Sequence, residues 1–237
     1  MSGILYLFPT PIADNDAAKS EPPYNKTLIQ TCDAFIVEEI RTARRYLRKV
    51  GYDRDFDSVD FYELNEHTDW ALLSSYIEPL LQNKNMGLLS EAGLPCVADP
   101  GWQVVALAHR KSINVVPLVG ASSLMLALMA SGFCGQNFSF CGYLPVKGNE
   151  RTQSIIRLEQ NAIRLNQTQI FIEAPYRNNQ LLSTLISTLR QDTMLCVATD
   201  LMMPSEQIIS QPVGKWKQTK TDLNKRNSVF LIAKQNI

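Results

Sequence analysis

A loop rich in glycine and proline carries two carboxylates. Residues 88–101 read LLSEAGLPCVADPG, in which the short apolar run 86–89 ends just before Glu91. Gly93 allows the backbone to approach a ligand closely, and the prolines fix the shape of the chain around it. Asp99 could hold the loop or accept hydrogen bonds from a ligand. The pattern is compatible with a tight surface turn and with a ligand-binding loop.

A run of arginines in EEIRTARRYLRKVG, residues 38–51, is the second candidate. Spacings of three and four place Arg41, Arg44, Arg45 and Arg48 on one face of a predicted helix that ends at Gly51. The spacing alone favours a solvated basic face. The alternative is a phosphate-binding patch, because guanidinium forks match the oxygens of an RNA backbone.

Metal and hydrolase chemistry receive little support. The two histidines, His67 and His109, are too few for a multi-histidine metal site. His109 is expected to favour the dipole at a helix C-terminus, and His67 to lie in a solvated polar loop. The dinucleotide, Walker, H-E-x-x-H and G-x-S-x-G motifs do not occur. We therefore predict no metal site.

Strands and helices alternate along the chain, which is typical of an α/β fold with mainly parallel or mixed sheets. Predicted strands cover residues 4–8, 34–37, 60–64, 86–89, 114–118, 138–143, 169–173, 195–199, 206–210 and 229–233. Predicted helices cover residues 27–31, 38–50, 69–82, 101–111, 124–131, 150–166 and 179–190. In parallel sheets ligands bind at the carboxyl ends of the strands, where the loops 9–11, 90–101 and 119–123 fall. A boundary near 132 predicts two α/β lobes, 1–132 and 133–237.

Composition limits the possible partners and compartment. The 237 residues contain 23 basic and 23 acidic side chains, a net charge of +0, so any nucleic-acid contact must be a local patch. Five scattered cysteines without a CxxC pair argue against a zinc ribbon and a disulfide framework. No apolar stretch is long enough to span a bilayer. We expect a cytoplasmic protein without a membrane anchor.

Seven blocks, taken in order, resemble the tetrapyrrole methylase superfamily, and among its branches the one that methylates small-subunit ribosomal RNA. They are PTPI (9–12), EEIRTARRYL (38–47), LLSEAGLPCVADPG (88–101), VVPLVGASS (115–123), ASGF (130–133), GYLPVK (142–147) and FIEAPYR (171–177). The resemblance extends over essentially the whole chain. It implies a two-lobed α/β enzyme, commonly a homodimer, that binds S-adenosylmethionine (SAM) in the cleft between its lobes.

The resemblance also implies which residues hold the cofactor. By position in the matching blocks, the SAM-binding residues are Pro11, Ala92, Gly93, Leu94, Val97, Asp99, Gly120, Ser122, Ala174, Tyr176 and Ala198. The branch methylates a ribose 2′-hydroxyl, and small-subunit ribosomal RNA is then the partner. Arg41 and Arg44 are the candidate RNA contacts.

A ribose hydroxyl must lose its proton during methyl transfer, so a nearby acid or base is expected. Glu39, Glu66 and Lys147 are the candidate catalytic residues, with Glu63 and Glu91 as further possibilities. In-line transfer needs no metal and no covalent nucleophile, and most of its acceleration can come from positioning.

Several motifs depart from the branch pattern. TPIAD replaces the usual TPIGN, VGASS replaces PGPSA, and YELNE lacks the usual preceding histidines. Two alternatives therefore stay open. One is a methylase acting on a tetrapyrrole, another small molecule or a protein. The other is a SAM-binding protein without RNA activity.

Overall fold

In the computed structural model of the protein, which describes residues 2–13, 20–65 and 67–234, the chain forms two compact units, Met1–Ser122 and Ser123–Ile237. The first unit contains the strands β1 (Ile4–Phe8), β2 (Ala34–Val37), β3 (Asp60–Glu63), β4 (Met86–Leu89) and β5 (Asn114–Pro117). They form a sheet of order β3-β2-β4-β1-β5 in which each pairing is parallel. The five strands lie where the apolar runs and, for β3, the alternation over residues 60–64 predicted them.

Both faces of the first sheet are covered, which explains why its central strands are apolar throughout. Leu5 packs into a core cluster on one face with residues of β2 and β4 and with Val104, whereas Phe8 packs into a cluster on the other face with Leu47. The covering helices are α1 (Pro23–Ile29), α2 (Ile40–Lys49), α3 (Leu73–Tyr76), α4 (Glu78–Leu81) and α5 (Trp102–Arg110).

The single helix expected over residues 69–82 is broken in the structure. A 3-10 turn at Trp70–Leu72 leads into α3, and α4 follows separately. Pro79 lies in the first turn of α4, where its missing N–H is tolerated, whereas inside one continuous helix it would remove a hydrogen bond and clash with the preceding turn. Ile77, between the two helices, has left the helical region at φ −98° and ψ 0°.

The second unit has a mixed sheet. Its strands are β6 (Phe138–Tyr143), β7 (Thr168–Ile172), β8 (Met194–Thr199), β9 (Gln207–Pro212) and β10 (Ser228–Ala233), in the order β6-β7-β10-β8-β9. The β6–β7 pairing is parallel, and β10 runs antiparallel to both β7 and β8. The helices are α6 (Ser123–Ser131), α7 (Gly148–Arg164), α8 (Asn178–Thr188) and α9 (Val213–Trp216), the last of which the sequence pattern did not indicate.

The division between the units falls before α6, whereas the sequence analysis placed it after residue 132. Helix α6 packs against β8, β9 and β10. The Ser210 hydroxyl, on β9, donates to the carbonyl of Ser131 at the end of this helix (2.6 Å). Among the described residues, no helix has the length and apolar character needed to cross a membrane.

Candidate active site

Two loops at the carboxyl edge of the first sheet are fastened side by side. Thr10, after β1, and Gly93, after β4, exchange two backbone hydrogen bonds of 3.0 Å each. The Ser90 hydroxyl lies 2.6 Å from the Gly93 carbonyl and 3.2 Å from the Thr10 hydroxyl, and both hydroxyl-bearing residues are buried. The loop that carries the carboxylates is therefore a fixed part of this edge.

Two glycines let the neighbouring loops pack closely against the loop after β1. Gly93 has φ +81°, and a Cβ there would lie 3.3 Å from Ile12 Cγ2. A Cβ at Gly120, in the loop after β5, would lie 2.2 Å from Pro9 Cβ. The backbone of Gly93 and that of Gly120 thus lie directly against side chains of the loop after β1, at the edge where α/β sheets bind ligands.

The rest of the loop 90–101, hereafter the carboxylate loop, has an unusual conformation. Cys96 and Ala98 have φ values of 67° and 58°, a left-handed region that side chains other than glycine rarely adopt. Backbone N–H groups of Cys96 and Glu91 are bonded to the Asp99 carboxylate. Asp99 thereby organises the loop that contains it.

The carboxylate of Asp99 lies in an environment that favours its protonated form. Burial, then the negative charge of Glu38 and that of Glu91, raise its pKa to about 7, against the effect of the backbone hydrogen bonds. A small indentation here is lined by apolar residues of β2 and β4 with Leu64, Pro100, Glu38 and Asp99. A cationic group bound at this edge would relieve the repulsion among the three carboxylates.

Glu39 is the N-cap of α2. Its Oε1 accepts from the Arg41 N–H (2.8 Å) and its Oε2 from the Thr42 N–H (2.9 Å). Desolvation acts in the opposite direction, but these hydrogen bonds and the charge of Arg41 lower the pKa of Glu39. The Thr42 hydroxyl lies 2.6 Å from Glu91 Oε1, so α2 is also joined to the carboxylate loop. The contacts give Glu39 a positioning role at the start of the helix.

The arginines of α2 have different surroundings although they share a face. The Arg44 guanidinium carbon lies 5.0 Å from the centre of the Phe61 ring, and that of Arg48 lies 4.0 Å from the centre of Phe56. Arg48 also donates to the carbonyl of Tyr52. All four arginines of this face are exposed. Arg44 and Arg48 therefore cover an aromatic cluster through cation–π contacts.

In the second unit, candidate residues follow β7 and β6. Ala174 begins the short turn Pro175–Arg177, in which Tyr176 is 66% exposed. Lys147 is an exposed residue at the N-cap position of α7. Ala198 is buried within β8, where its backbone lies between Val229 and Ile208.

All eight predicted cofactor residues of the first unit lie at one edge of its sheet. They lie on the three loops that follow β1, β4 and β5: Pro11, Ala92, Gly93, Leu94, Val97, Asp99, Gly120 and Ser122. The predicted catalytic residue Glu66 lies outside the described residues. Glu63, at the end of β3, is exposed and accepts from the Asn65 side-chain amide (2.9 Å).

Two features of this edge were not predicted. Trp70 and Trp102 are 61% and 58% exposed, yet their ring centres lie only 6.2 Å apart. Trp102 follows the carboxylate loop directly, which was the one available signal. Glu38 was not singled out, because its effect on Asp99 depends on the pairing of β2 with β4.

The chain is similar to known proteins first in fold and then in sequence. No family model matches the chain. Over nearly its whole length the fold is similar to two solved methyltransferases: CobJ (TM-score 0.64, 11% identity, covering 99% of this chain and 95% of that one) and the cobalamin biosynthetic enzyme cobalt precorrin-4 methyltransferase CbiF (TM-score 0.59, 12% identity, 97% and 94%). The protein thus has the fold of these methyltransferases.

Curated relatives are more specific. The chain is 32% identical to "Ribosomal RNA small subunit methyltransferase I" of Synechocystis sp. over 86% of this chain and 69% of that protein. It is 30% identical to the protein of the same name from Helicobacter pylori over 94% and 78%. It is 28% identical to that of Pasteurella multocida over 92% and 73%. The chain belongs to the ribosomal RNA small subunit methyltransferase I family, and it is a methyltransferase.

Proposed function

We propose that the protein transfers a methyl group from SAM to a ribose 2′-hydroxyl of small-subunit ribosomal RNA. One observation carries this proposal. The loops after β1 and β4 are hydrogen-bonded to each other through Thr10 and Gly93, and the carboxylates Glu38, Glu91 and Asp99 lie beside them. Membership of a family whose curated members bear the name of a ribosomal RNA methyltransferase supports the acceptor.

The residues of this edge fit SAM. The cofactor supplies an activated methyl group on a positively charged sulfonium, and it carries an ammonium group as well. Burial and the negative charges of Glu38 and Glu91 raise the pKa of Asp99 to about 7, and these cations would stabilise the ionised carboxylates. Gly93 and Gly120 carry no side chain, so the backbone of their loops can lie close to the adenosine and methionine parts.

The part of this chain in catalysis is to bind, orient and exclude water. The loops are held by buried hydrogen bonds and left-handed backbone, so little reorganisation is required when reactants bind. In the second unit Ala174 and Tyr176 are the proposed cofactor contacts, together with Ala198. Lys147 is the proposed residue near the acceptor, where a cation would stabilise the oxygen as its proton leaves.

RNA would be held by a local patch, because the net charge of the chain is +0. Arg41 is exposed at the first turn of α2, with its backbone fixed by Glu39. Arg44 lies against aromatic rings but is also exposed, so its outer edge can still meet a phosphate.

We further propose that the protein works as a homodimer in the cytoplasm. Large apolar side chains are exposed on the second unit, among them Met129 (78%) and Tyr143 (61%), as at many interfaces between subunits. The cysteines are free, which suits a reducing compartment. Sedimentation at several protein concentrations tests the dimer, and a monomer throughout would refute it.

The function is tested by calorimetry with SAM and by transfer of labelled methyl groups. The acceptor should be small ribosomal subunits from cells that lack this gene, with subunits from wild-type cells as the already methylated control. We expect label in small-subunit RNA of the first sample only, at a ribose 2′-oxygen. Binding of SAM without transfer to ribosomal RNA would overturn the RNA assignment and direct the search to a tetrapyrrole, other small-molecule or protein acceptor.

A further inference from the structure

We infer that Glu173 is a positioning residue that joins two loops of the second unit, so that the positions of the segment 144–147 and the turn 174–177 are coupled. The inference rests on the proposed function only in its assignment of Ala174 and Tyr176 to the cofactor and of Lys147 to the acceptor. The geometry on which it depends is independent of that assignment.

Both carboxylate oxygens of Glu173 accept hydrogen bonds. Oε1 accepts from the backbone N–H of Ala174 (2.8 Å) and from Arg177, whose Nη2 lies at 2.7 Å and Nε at 2.9 Å. Oε2 accepts from Nη2 of Arg151 at 2.6 Å. The Glu173 side chain is 1% exposed, so these contacts are made in a region of low dielectric, where they are strong.

Arg151 carries the connection to the other loop. It lies on α7 and is 3% exposed, and its Nε donates to the carbonyl of Pro145 (2.7 Å). Its Nη1 is buried without a hydrogen-bond partner among the described residues. A buried guanidinium with one unsatisfied nitrogen depends on Glu173 and Pro145 for its stability. Movement of Pro145 therefore affects Glu173, and the reverse.

Arg177 carries the connection to the turn. It donates to the Tyr176 hydroxyl (2.5 Å), and its guanidinium carbon lies 4.8 Å from the centre of the same ring. Its hydrogen bond with Glu173, and the charge of that residue, raise the pKa of Arg177. Arg177 therefore contacts the exposed ring of Tyr176 and is itself bound by Glu173.

The consequence is a path from Tyr176 to Pro145 composed only of ionic or charge-assisted hydrogen bonds. Lys147 follows Pro145 by two residues, so the proposed acceptor residue and the proposed cofactor residues take their positions from one carboxylate. A substitution that displaces Tyr176 should therefore also change the position of Pro145, and the reverse. A role confined to stabilising the fold would not produce such coupling.

The first variant is Arg177→Met, which removes the ion pair between Glu173 and the turn 174–177 and leaves the buried Arg151–Glu173 pair intact. Hydrogen exchange should rise in 174–177 and also in 144–147. The Kd for SAM should rise by about 3- to 10-fold, the range of one ordinary hydrogen bond, because the contact of Arg177 orients the turn without touching the cofactor. Arg177→Lys should partly restore both readouts, because lysine can pair with Glu173 but cannot form the fork.

Arg151→Lys tests the connection from Glu173 to Pro145. It should raise exchange in 144–147 and lower kcat for RNA more than it raises the KM for SAM. Arg190→Met is the matched control: it removes an ion pair with Asp192 in the same unit whose side chains are 63% and 61% exposed, and it should change none of these readouts.

The outcomes separate this inference from the proposed function. Exchange that rises only in 174–177 for Arg177→Met, with 144–147 unchanged, would overturn the coupling even in an active enzyme. If the wild-type protein bound no SAM but exchange rose in both segments, the function would fail and the positioning role would stand. Glu173→Gln is not used alone, since it leaves Arg151 buried without its counter-charge and can prevent folding.

Discussion

Thr10 and Gly93 lie eighty-three positions apart in the chain and are joined by a reciprocal pair of 3.0 Å backbone hydrogen bonds. This small antiparallel bridge forms where two parallel strands, β1 and β4, have just ended. It converts two strand ends into one rigid edge. The strained residues Cys96 and Ala98 follow within the same loop, so the edge holds a conformation that the segment would not adopt alone.

Gly93→Ala should weaken SAM binding as well as stability. The substitution adds a Cβ at φ +81° and 3.3 Å from Ile12 Cγ2. Gly51→Ala is the matched control, because Gly51 has φ +88° with no atom within 4 Å of the added Cβ. We expect each variant to lose about 1 kcal/mol in the free energy of unfolding from backbone strain. Only Gly93→Ala should also raise the Kd for SAM in calorimetry, and equal SAM affinity in the two variants would contradict the assigned site.

Asp99→Asn should stabilise the protein at high pH. The pKa of Asp99 is about 7 in the folded protein and is thus above its ordinary value, so ionisation opposes folding as the pH rises toward 7. The gain in Tm should be small near pH 4, grow up to about pH 7 and then level off. Asp222→Asn is the control, and it should lower Tm near pH 7. Hydrogen bonds from Asn179 and Asn224 lower the pKa of Asp222, so its ionised form favours folding.

The same carboxylate should make SAM binding depend on pH. A cationic ligand favours the ionised form of Asp99, so wild-type affinity for SAM should rise between pH 6 and pH 8. Asp99→Asn should flatten this profile. An unchanged profile in the variant would show that Asp99 holds the loop without facing the cofactor.

Glu39→Gln separates capping from catalysis. The pKa of Glu39 is lowered by its hydrogen bonds to α2, so its contribution to stability is present above its ordinary pKa and is lost as the pH falls through the lowered value. We expect a lower Tm at pH 7 and a difference that shrinks in acid. If Glu39 acts only as a cap, kcat below the unfolding transition stays close to that of the wild type. Loss of kcat without loss of Tm would instead support the catalytic role.

The sequence anticipated what depends on local pattern. Four strands of the first sheet are short apolar runs and β3 is an alternating segment, and the pattern predicts all five to within a residue. The antiparallel arrangement of β10 could not be predicted, since it depends on pairing with β7 and β8 from distant parts of the chain. Periodicity likewise placed Arg41 and Arg44 on one face. It could not show that Phe61 lies under Arg44, because that ring comes from β3.

The two arginines should therefore respond differently when each is replaced. Arg41→Gln should weaken binding of small-subunit RNA and reduce its salt dependence, because one phosphate contact is lost, with Tm unchanged. Arg44→Gln should lower Tm as well, since the cation–π contacts with Phe56 and Phe61 are lost, a cost of about 1 kcal/mol. Arg45→Gln, also exposed on α2, is the control for a general change of charge. Binding measured over a salt series decides the matter, and equal effects of Arg41→Gln and Arg45→Gln would show that charge alone, without a specific contact, attracts the RNA.

Tryptophan fluorescence gives a direct measure of the edge at which RNA is proposed to bind. The chain has three tryptophans, of which Trp216 is 2% exposed, whereas Trp70 and Trp102 are largely exposed and adjacent. Acrylamide should quench most of the emission of the wild type and little of that of a Trp70→Phe, Trp102→Phe double variant. Addition of small-subunit RNA should protect the wild-type emission if the acceptor covers the loops after β3 and β4, because bases stack on exposed aromatic rings. Quenching that is unaffected by saturating RNA would place the acceptor away from this pair, whereas strong quenching of the double variant would contradict the burial of Trp216.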